Sequence, residues 1–148
     1  MRLALTAFTA RGAALAQALA EKLTGLGNRC MIAVPARLNL AVPTYENLGA
    51  WTGERFADCE GILFIGASGI AVRAIAPYVR DKFTDPAVVS VDEAGQFAVP
   101  LLSGHVGGAN DLARTVAAIT GGRAAVSTAT DVNGKFAVDQ WAREQGFF

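Results

Sequence analysis

The run Gly61-Ile-Leu-Phe-Ile65 is the most strand-like stretch of this sequence. No polar residue interrupts it, and continuous apolar runs of this kind are typical of parallel strands that are covered on both faces. The turn Gly66-Ala-Ser-Gly69 follows directly, and a helical pattern then continues to Pro77. Ser68 is the residue type that caps such a helix. The stretch therefore predicts a central strand, a tight turn and a helix, as in an α/β protein.

The first 34 residues predict a strand, a helix and a second strand. Residues 3–8 form a short run that is apolar apart from Thr6, and Thr9 is a residue type that caps helices. Residues 30–34 form the next buried strand. Between these strands, leucines recur at steps of four, four and three, as on one face of an amphipathic helix: Leu15, Leu19, Leu23 and Leu26. A strand–helix–strand unit implies parallel pairing with a right-handed crossover.

Further elements follow along the chain. Residues 88–91 and 97–99 flank a polar turn at 92–96, which indicates an antiparallel hairpin. Pro100 suits an edge strand or a strand end. The other expected elements are a helix at 48–56, a helix from 109 that carries Leu112, Val116 and Ile119 on one face, a strand at 124–127 and a last helix that buries Val138, Trp141 and Ala142. Residues 35–49 are interpreted as a surface connection, with a flap over a site as the less favoured interpretation.

These elements predict an α/β fold, an open three-layer α/β/α sandwich whose sheet is mostly parallel with one antiparallel edge hairpin. The length of 148 residues favours a single α/β domain over residues 1–148. Thirteen basic and thirteen acidic residues give a formal net charge of zero. This balance argues against nucleic acid and membrane partners, which usually require a basic excess.

Cysteine usage and the start of the chain point to the cytoplasm. Cys30 and Cys59 are far apart and form no C-x-x-C motif, so they are expected to be buried thiols in a reducing compartment. No apolar run approaches the ~18 residues of a membrane span. The apolar start is interrupted by Thr6, Thr9 and Arg11, so we interpret it as a strand and not as a signal peptide.

The most function-like stretch is Val99-Pro-Leu-Leu-Ser-Gly-His-Val-Gly-Gly-Ala-Asn-Asp111. It contains three glycines and the chain's only histidine, His105, and it leads into a helix from Ala109. Glycines let a backbone turn tightly and approach a ligand, and the helix start would direct free N–H groups toward it. We expect this loop, the 66–69 turn and the 128–135 loop to share the carboxyl edge of the sheet. The strand before Ser103 belongs to the hairpin and can run antiparallel, so the assignment of its loop to this edge depends on the direction of that strand.

The three loops collect groups suited to a ligand with several carboxylates or phosphates. The predicted substrate-binding residues are Gly66, Ser68, Gly69, Arg73, Arg80, Lys82, Ser103, Gly104, Gly107, Gly108, Asn110, Thr130, Asn133 and Lys135. Thr128 lies in the same set. Each also has a structural interpretation, since glycines serve ordinary turns, Asp and Asn form Asx turns, and basic residues solvate surfaces.

Metal and common nucleotide sites are weakly supported. One histidine and two separated cysteines form no recognisable metal-ligand set. The sequence has no Walker A motif, no Gly-x-Ser-x-Gly elbow and no complete Rossmann fingerprint. We therefore predict no metal site and no resident cofactor.

Four segments together closely resemble the CbiG family, the cobalt-precorrin-5A hydrolases of anaerobic cobalamin biosynthesis: residues 69–77, 81–89, 100–113 and 128–139. The resemblance covers about the last 90 residues strongly, and the first strand–helix–strand unit fits the family's N-terminal region. It implies an enzyme that opens the lactone of a cobalt corrinoid precursor with water and releases acetaldehyde, with the cobalt carried by the substrate. Family members usually continue into a C-terminal domain, and we expect that domain to be absent from this chain, so the resemblance implies that domain or other cobalamin-pathway enzymes as partners.

Local chemistry suggests roles for individual residues. Lactone opening requires a base and donors for the developing oxyanion. His105 is the candidate base, Asp111 or Asp131 would orient it, and the N–H groups of Gly107 and Gly108 would form the oxyanion site. Arg73, Arg80, Lys82 and Lys135 would contact the acid side chains of the ring. Two alternatives remain open: a non-catalytic tetrapyrrole-binding domain that needs a C-terminal partner domain, and a phosphate- or nucleotide-binding regulatory domain.

Overall fold

The computed structural model describes residues 1–104 and 107–129. The strands are β1 (Arg2–Ala7), β2 (Arg29–Ile32), β3 (Val34–Pro35), β4 (Thr44–Tyr45), β5 (Gly61–Ile65), β6 (Ala87–Val91), β7 (Phe97–Leu102) and β8 (Arg123–Ala124). The helices are α1 (Ala10–Gly25), α2 (Leu48–Asp58), α3 (Ser68–Ile75) and α4 (Ala109–Thr120). The last helix predicted from the sequence lies outside the described residues.

Six strands form one sheet in the order β2-β1-β5-β6-β7-β8. β1 pairs in parallel with β2 and β5, and β5 pairs in parallel with β6. β7 runs antiparallel to β6, and β8 runs parallel to β7. The predicted mostly parallel sheet with one antiparallel pair is confirmed.

Helices cover both faces of this sheet. Successive residues of β1 show the alternation: Leu3 and Leu5 pack with α1 and α4, whereas Ala4 packs with α2 and α3. Every residue of β5 is buried, as expected for a strand covered on both sides. The three-layer α/β/α architecture predicted from the sequence is therefore confirmed.

Several local predictions are confirmed and others need correction. Thr9 caps α1 by accepting a hydrogen bond from Gly12 N at 2.9 Å. Ser68 does not cap α3, because Ala67 is the N-cap residue and makes no side-chain cap bond. The hairpin is not at the edge of the sheet, since β8 pairs with the far side of β7. Pro100 lies where that partner has already ended, because β8 pairs only with the first residues of β7.

The 35–49 segment is an ordered connection. β3 and β4 pair in parallel, and a single 3-10 turn lies between them. The Tyr45 hydroxyl is 2.7 Å from Thr6 Oγ1, and its ring stacks on Trp51 with centroids 5.3 Å apart. The segment thus folds over the carboxyl end of β1, and its interpretation as a connection or as a flap over a site stays a prediction.

Candidate functional site

The predicted site loops lie at two opposite edges of the sheet. Because β7 is antiparallel to β6 and β8 follows β7, the chain leaves β7 and β8 at the edge where β5 and β6 begin. The prediction that all three loops share one edge is therefore wrong. We call the edge where β5 ends the Gly66 edge (Phe8, Thr9, Arg37, Gly66, Ser68, Gly69 and Glu93). The other is the Ser103 edge (Arg80, Lys82, Asp85, Ser103, Gly104, Gly107, Gly108, Asn110, Asp111 and Thr128). Five residues of strand separate the two edges by roughly 16 Å.

The predicted site residues divide unevenly between the edges. Gly66, Ser68 and Gly69 lie at the Gly66 edge, whereas Arg73 is exposed within α3. The Ser103 edge brings together Arg80, Lys82, Ser103, Gly104, Gly107, Gly108, Asn110 and Asp111, and Thr128 joins them. His105, Thr130, Asp131, Asn133 and Lys135 lie outside the described residues.

The Ser103 loop is held by its own backbone and by the start of α4. Ser103 has a φ of 56°, a left-handed conformation that non-glycine residues rarely adopt, and it is only 8% exposed. Its carbonyl accepts a hydrogen bond from Ala109 N at 3.0 Å, and the Gly104 carbonyl accepts one from Asn110 N at 2.9 Å. Two amides at the start of α4 are therefore already used, so this helix start offers fewer donors to a ligand than the sequence suggests.

The glycines of this loop make room for its own side chains. A Cβ on Gly104 would lie 2.8 Å from Asn110 Oδ1, and a Cβ on Gly107 would collide with Ser103 Cβ. Only Gly108 has a positive φ, 88°, with open space around it. We predicted close approach to a ligand from these glycines, and the structure shows close packing within the loop at the first two positions.

Asn110 is a buried side chain that stabilises the loop before α4. It is 2% exposed, and its Nδ2 donates to Thr128 Oγ1 at 3.0 Å. This bond ties the start of α4 to the segment that follows β8. A buried side chain in this position organises the loop from within, whereas we predicted Asn110 as a substrate ligand.

Asp111 points to solvent in the first turn of α4. Its side chain is 89% exposed, and Oδ1 lies 3.3 Å from Arg114 Nη1 in an i,i+3 ion pair. Exposed pairs of this kind contribute little to stability. The carboxylate is accessible, and its predicted role in orienting His105 stays a prediction.

A second loop, residues 79–86, runs alongside the first. Ser103 Oγ donates to the carbonyl oxygen of Asp85 at 3.1 Å. Arg80 and Lys82 are exposed on this loop, and Lys82 Nζ lies 5.2 Å from the centroid of the Phe83 ring, which is 66% exposed. The loop therefore places two cations beside the Ser103 loop, as suits an anionic ligand.

Two cavities lie at these edges. One of 280 Å³ lies between α2 and the 79–86 loop, and its walls include Phe56, Tyr78 and Arg80. The other, of 390 Å³, lies at the Gly66 edge, lined in part by Phe8 and Arg37. The sequence did not single out the aromatic walls of either cavity, because residues 56 and 78 come from separate elements.

Sequence reasoning also missed the polar contacts of the Gly66 edge. Thr9 Oγ1 donates to Glu93 Oε2 at 2.6 Å, and Arg37 Nη2 donates to the Phe8 carbonyl at 3.2 Å. These pairs join residues far apart in sequence. No sequence motif or periodic pattern predicts these two hydrogen bonds.

Two groups just before β5, the Cys59 thiol and the Asp58 carboxyl, have shifted pKa values. Burial, together with the neighbouring Asp58 carboxylate, raises the pKa of the Cys59 thiol to about 12. For Asp58 itself, burial acts to raise the pKa, but hydrogen bonds from the Arg55 guanidinium at 2.9 and 3.0 Å leave it below its usual value. At neutral pH, Cys59 is therefore a protonated and weakly nucleophilic thiol.

Among residues 1–104 and 107–129, His, Cys, Asp and Glu side chains form no group of three that could hold a metal ion. Within that part of the chain, no helix is long and apolar enough to cross a bilayer.

Comparisons with known proteins agree on one family. The family model described as "Cobalamin synthesis G N-terminal" matches residues 50–131. The cobalt-precorrin-5A hydrolase of Salmonella typhimurium is 43% identical over 140 residues, which are 95% of this chain and 39% of that protein. The enzyme of the same name from Priestia megaterium is 42% identical over 92 residues, or 62% of this chain and 25% of that protein.

A solved structure shares the fold. The crystal structure of a cobalamin biosynthesis protein G homolog from Sulfolobus solfataricus matches with a TM-score of 0.69 and 22% identity, over 89% of this chain and 39% of that one. The chain spans about two fifths of the length of the Salmonella relative, 39%. The matched family segment runs from α2 to the residues after β8 and includes both loops of the Ser103 edge. The chain belongs to the cobalamin synthesis G N-terminal family.

Proposed function

We propose that this chain is part of a cobalt-precorrin-5A hydrolase, which opens the lactone of a cobalt corrinoid precursor with water and releases acetaldehyde. The observation that carries the proposal is the 43% identity over 140 residues to a protein of that name. Balanced charge and free cysteines fit a cytoplasmic enzyme without nucleic acid or membrane partners. The cobalt belongs to the substrate, and no resident cofactor is proposed.

The proposed substrate-binding face is the Ser103 edge. A corrinoid precursor carries several acetate and propionate side chains, so its binding site needs cations and N–H donors on one face. The Ser103 edge has two exposed cations, Arg80 and Lys82, and the open backbone at Gly108, while its carboxylates Asp85 and Asp111 are bonded to backbone amides and to Arg114. The Gly66 edge has one cation in its defined set, Arg37, which is bonded to the Phe8 carbonyl. Three further predicted binding residues, Thr130, Asn133 and Lys135, follow Thr128 in sequence.

The proposed chemistry is base-assisted lactone opening. His105 takes a proton from water, the water oxygen attacks the lactone carbonyl, and the carbonyl–oxygen ring bond breaks as the leaving oxygen is protonated. N–H groups at Gly107 and Gly108 would stabilise the developing oxyanion. Asp111 or Asp131 would orient the imidazole. The hydroxyl freed on the two-carbon unit then loses its proton, and the carbon–carbon bond to the ring breaks. The ring carbon takes the electron pair and a proton, and the two-carbon unit leaves as acetaldehyde.

A second candidate is a tetrapyrrole-binding domain whose catalytic groups come from a partner domain. The observation that favours it is coverage, because the chain matches only 39% of the Salmonella relative. A C-terminal CbiG domain or another enzyme of the pathway would then supply the base. A phosphate- or nucleotide-binding regulatory role is less well supported, since two amides at the start of α4 are already bonded to Ser103 and Gly104.

The test is an anaerobic incubation of the 148-residue chain with cobalt-precorrin-5A, followed by an acetaldehyde assay. We expect acetaldehyde from the wild-type chain and at least a hundredfold less from His105→Ala, because general base catalysis contributes about 10²–10⁴-fold. Gln17→Ala, on the exposed side of α1, is the control and should match the wild type.

The other outcomes separate the candidates. Corrinoid binding without acetaldehyde from any variant would support the binding domain. Saturable nucleotide binding without corrinoid affinity would support the regulatory role and contradict the hydrolase. Acetaldehyde release that His105→Ala leaves unchanged would retain the hydrolase and exclude His105 as its base.

A further inference from the structure

Asp85 stands between the two loops of the Ser103 edge and is absent from the predicted site residues. Its carboxylate Oδ2 accepts hydrogen bonds from Arg80 N at 2.8 Å and Asp81 N at 3.1 Å. Its own N–H donates to the Asp81 carbonyl at 2.8 Å. Hydrogen bonds from amides to an ionised carboxylate are among the stronger ones in proteins. Asp85 therefore fixes the backbone from which the Arg80 side chain extends.

The backbone of Asp85 reaches the other loop. Its carbonyl accepts the Ser103 hydroxyl at 3.1 Å, and the Ser103 carbonyl accepts Ala109 N at 3.0 Å. A continuous set of bonds thus runs from Arg80 through Asp85 and Ser103 to the first residue of α4. Ser103 keeps its unusual left-handed φ within this set.

The two charged side chains on the 79–86 loop, Arg80 and Lys82, are long and exposed. Arg and Lys side chains lose more conformational entropy than most others when they are ordered. A backbone that is already fixed adds no further ordering cost, so the anionic groups of a ligand meet cations at a set spacing from the Ser103 loop.

We propose that Asp85 is a positioning residue of the Ser103 edge: its carboxylate fixes the 79–86 loop and its carbonyl links that loop to the Ser103 loop, so that both loops bind the anionic corrinoid as one surface. The inference rests on the proposed function for the identity of the ligand. The coupling of the two loops does not depend on it.

The chain offers a matched control. Asp92, in the β6–β7 turn at the opposite edge, also accepts two backbone N–H bonds, from Phe97 N at 2.6 Å and Ala94 N at 3.2 Å. Asp92→Ala removes the same kind of interaction away from the Ser103 edge. A loss caused merely by disturbing a turn would appear in both variants.

The first measurement is amide hydrogen exchange in the intact chain. Asp85→Ala should loosen the 79–86 backbone that carries the Ser103 acceptor and speed exchange at Ala109 and Asn110. Ser103→Ala removes the linking hydroxyl itself and should speed that exchange at least tenfold, whereas Asp92→Ala should leave these amides unchanged. Asp85→Asn keeps one acceptor oxygen and should recover part of the protection. Equal exchange in Asp85→Ala and wild type would overturn the coupling.

The second measurement is binding of cobyrinic acid, a cobalt corrinoid with free carboxylates, followed by its visible absorbance. We expect Asp85→Ala to raise the Kd about tenfold and Asp92→Ala to change it less than twofold. Equal Kd values for the two variants would overturn the positioning role. If the wild-type chain binds no corrinoid, the proposed function fails at this edge and the positioning role fails with it, while hydrogen exchange still decides whether the loops are coupled.

Discussion

The Gly66 edge and the Ser103 edge both contain glycines, hydroxyl side chains and basic residues, but different interactions stabilise their loops. At the Gly66 edge, α1 starts with a side-chain cap from Thr9, and α3 starts with none. At the Ser103 edge, the buried Asn110, the left-handed Ser103 and two crowded glycines fix the loop before α4. A similar glycine-bearing strand–loop–helix sequence can thus produce a simple turn or a closely packed loop, depending on which side chains face one another.

The largest expected difference between the edges comes from glycine substitution. Gly107→Ala brings a methyl group onto Ser103 Cβ, and such overpacking typically costs about 1–3 kcal/mol of unfolding free energy. Gly69→Ala meets no atom within 4 Å and lies in α3, so it should be neutral or stabilise by up to about 1 kcal/mol. Urea unfolding of both variants measures the difference. Equal stabilities would mean that the two loops are equally tolerant.

A second prediction concerns the segment that covers the Gly66 edge. Tyr45→Phe removes the partner of Thr6 Oγ1, whose residue is fully buried, and should cost about 1–2 kcal/mol. The double variant Tyr45→Phe/Thr6→Val replaces both polar groups and should recover part of this loss. Thermal unfolding gives the stabilities. Corrinoid affinity should stay within twofold of wild type, and a tenfold loss would show that the Gly66 edge takes part in binding.

The smallest expected effect is a difference in Tm between variants at the two helix starts of the Gly66 edge, those of α1 and α3. Thr9→Ala removes the cap of α1 and should cost about 1 kcal/mol, a fall in Tm of about 2–4 °C for a chain of this size. Ser68→Ala should change Tm by less than a degree, because Ser68 makes no cap bond in α3. A larger loss in Ser68→Ala than in Thr9→Ala would contradict the assignment of the caps.

Much of the fold could be predicted from local pattern. The apolar run at 61–65 forms β5 over the same residues, and α4 begins at Ala109 as its pattern indicates. Leu19 and Leu23 are buried on α1, whereas Leu26 is 64% exposed because the helix has ended before it. Such features depend on residues within a few positions of one another, so the sequence carries them directly.

The site was harder to predict, because its geometry depends on strand direction. The hairpin was predicted from residues 88–99, yet its consequence for the Ser103 loop depends on β7 being antiparallel and on β8 pairing with it. The contact of Asp85 with Ser103 spans 18 positions, and that of Thr9 with Glu93 spans 84. Neither pair has a periodic signal in the sequence.

The sequence by itself determined the elements, the layers and the family, since apolar periodicity, cap residues and four long motifs are all local. Only the tertiary structure decided which loops meet. A strand's direction in the sheet decides at which edge its following loop lies, and strand pairing is settled by contacts between distant residues. For this reason the Ser103 loop lies beside Arg80 and Lys82 and not beside the Gly66 turn.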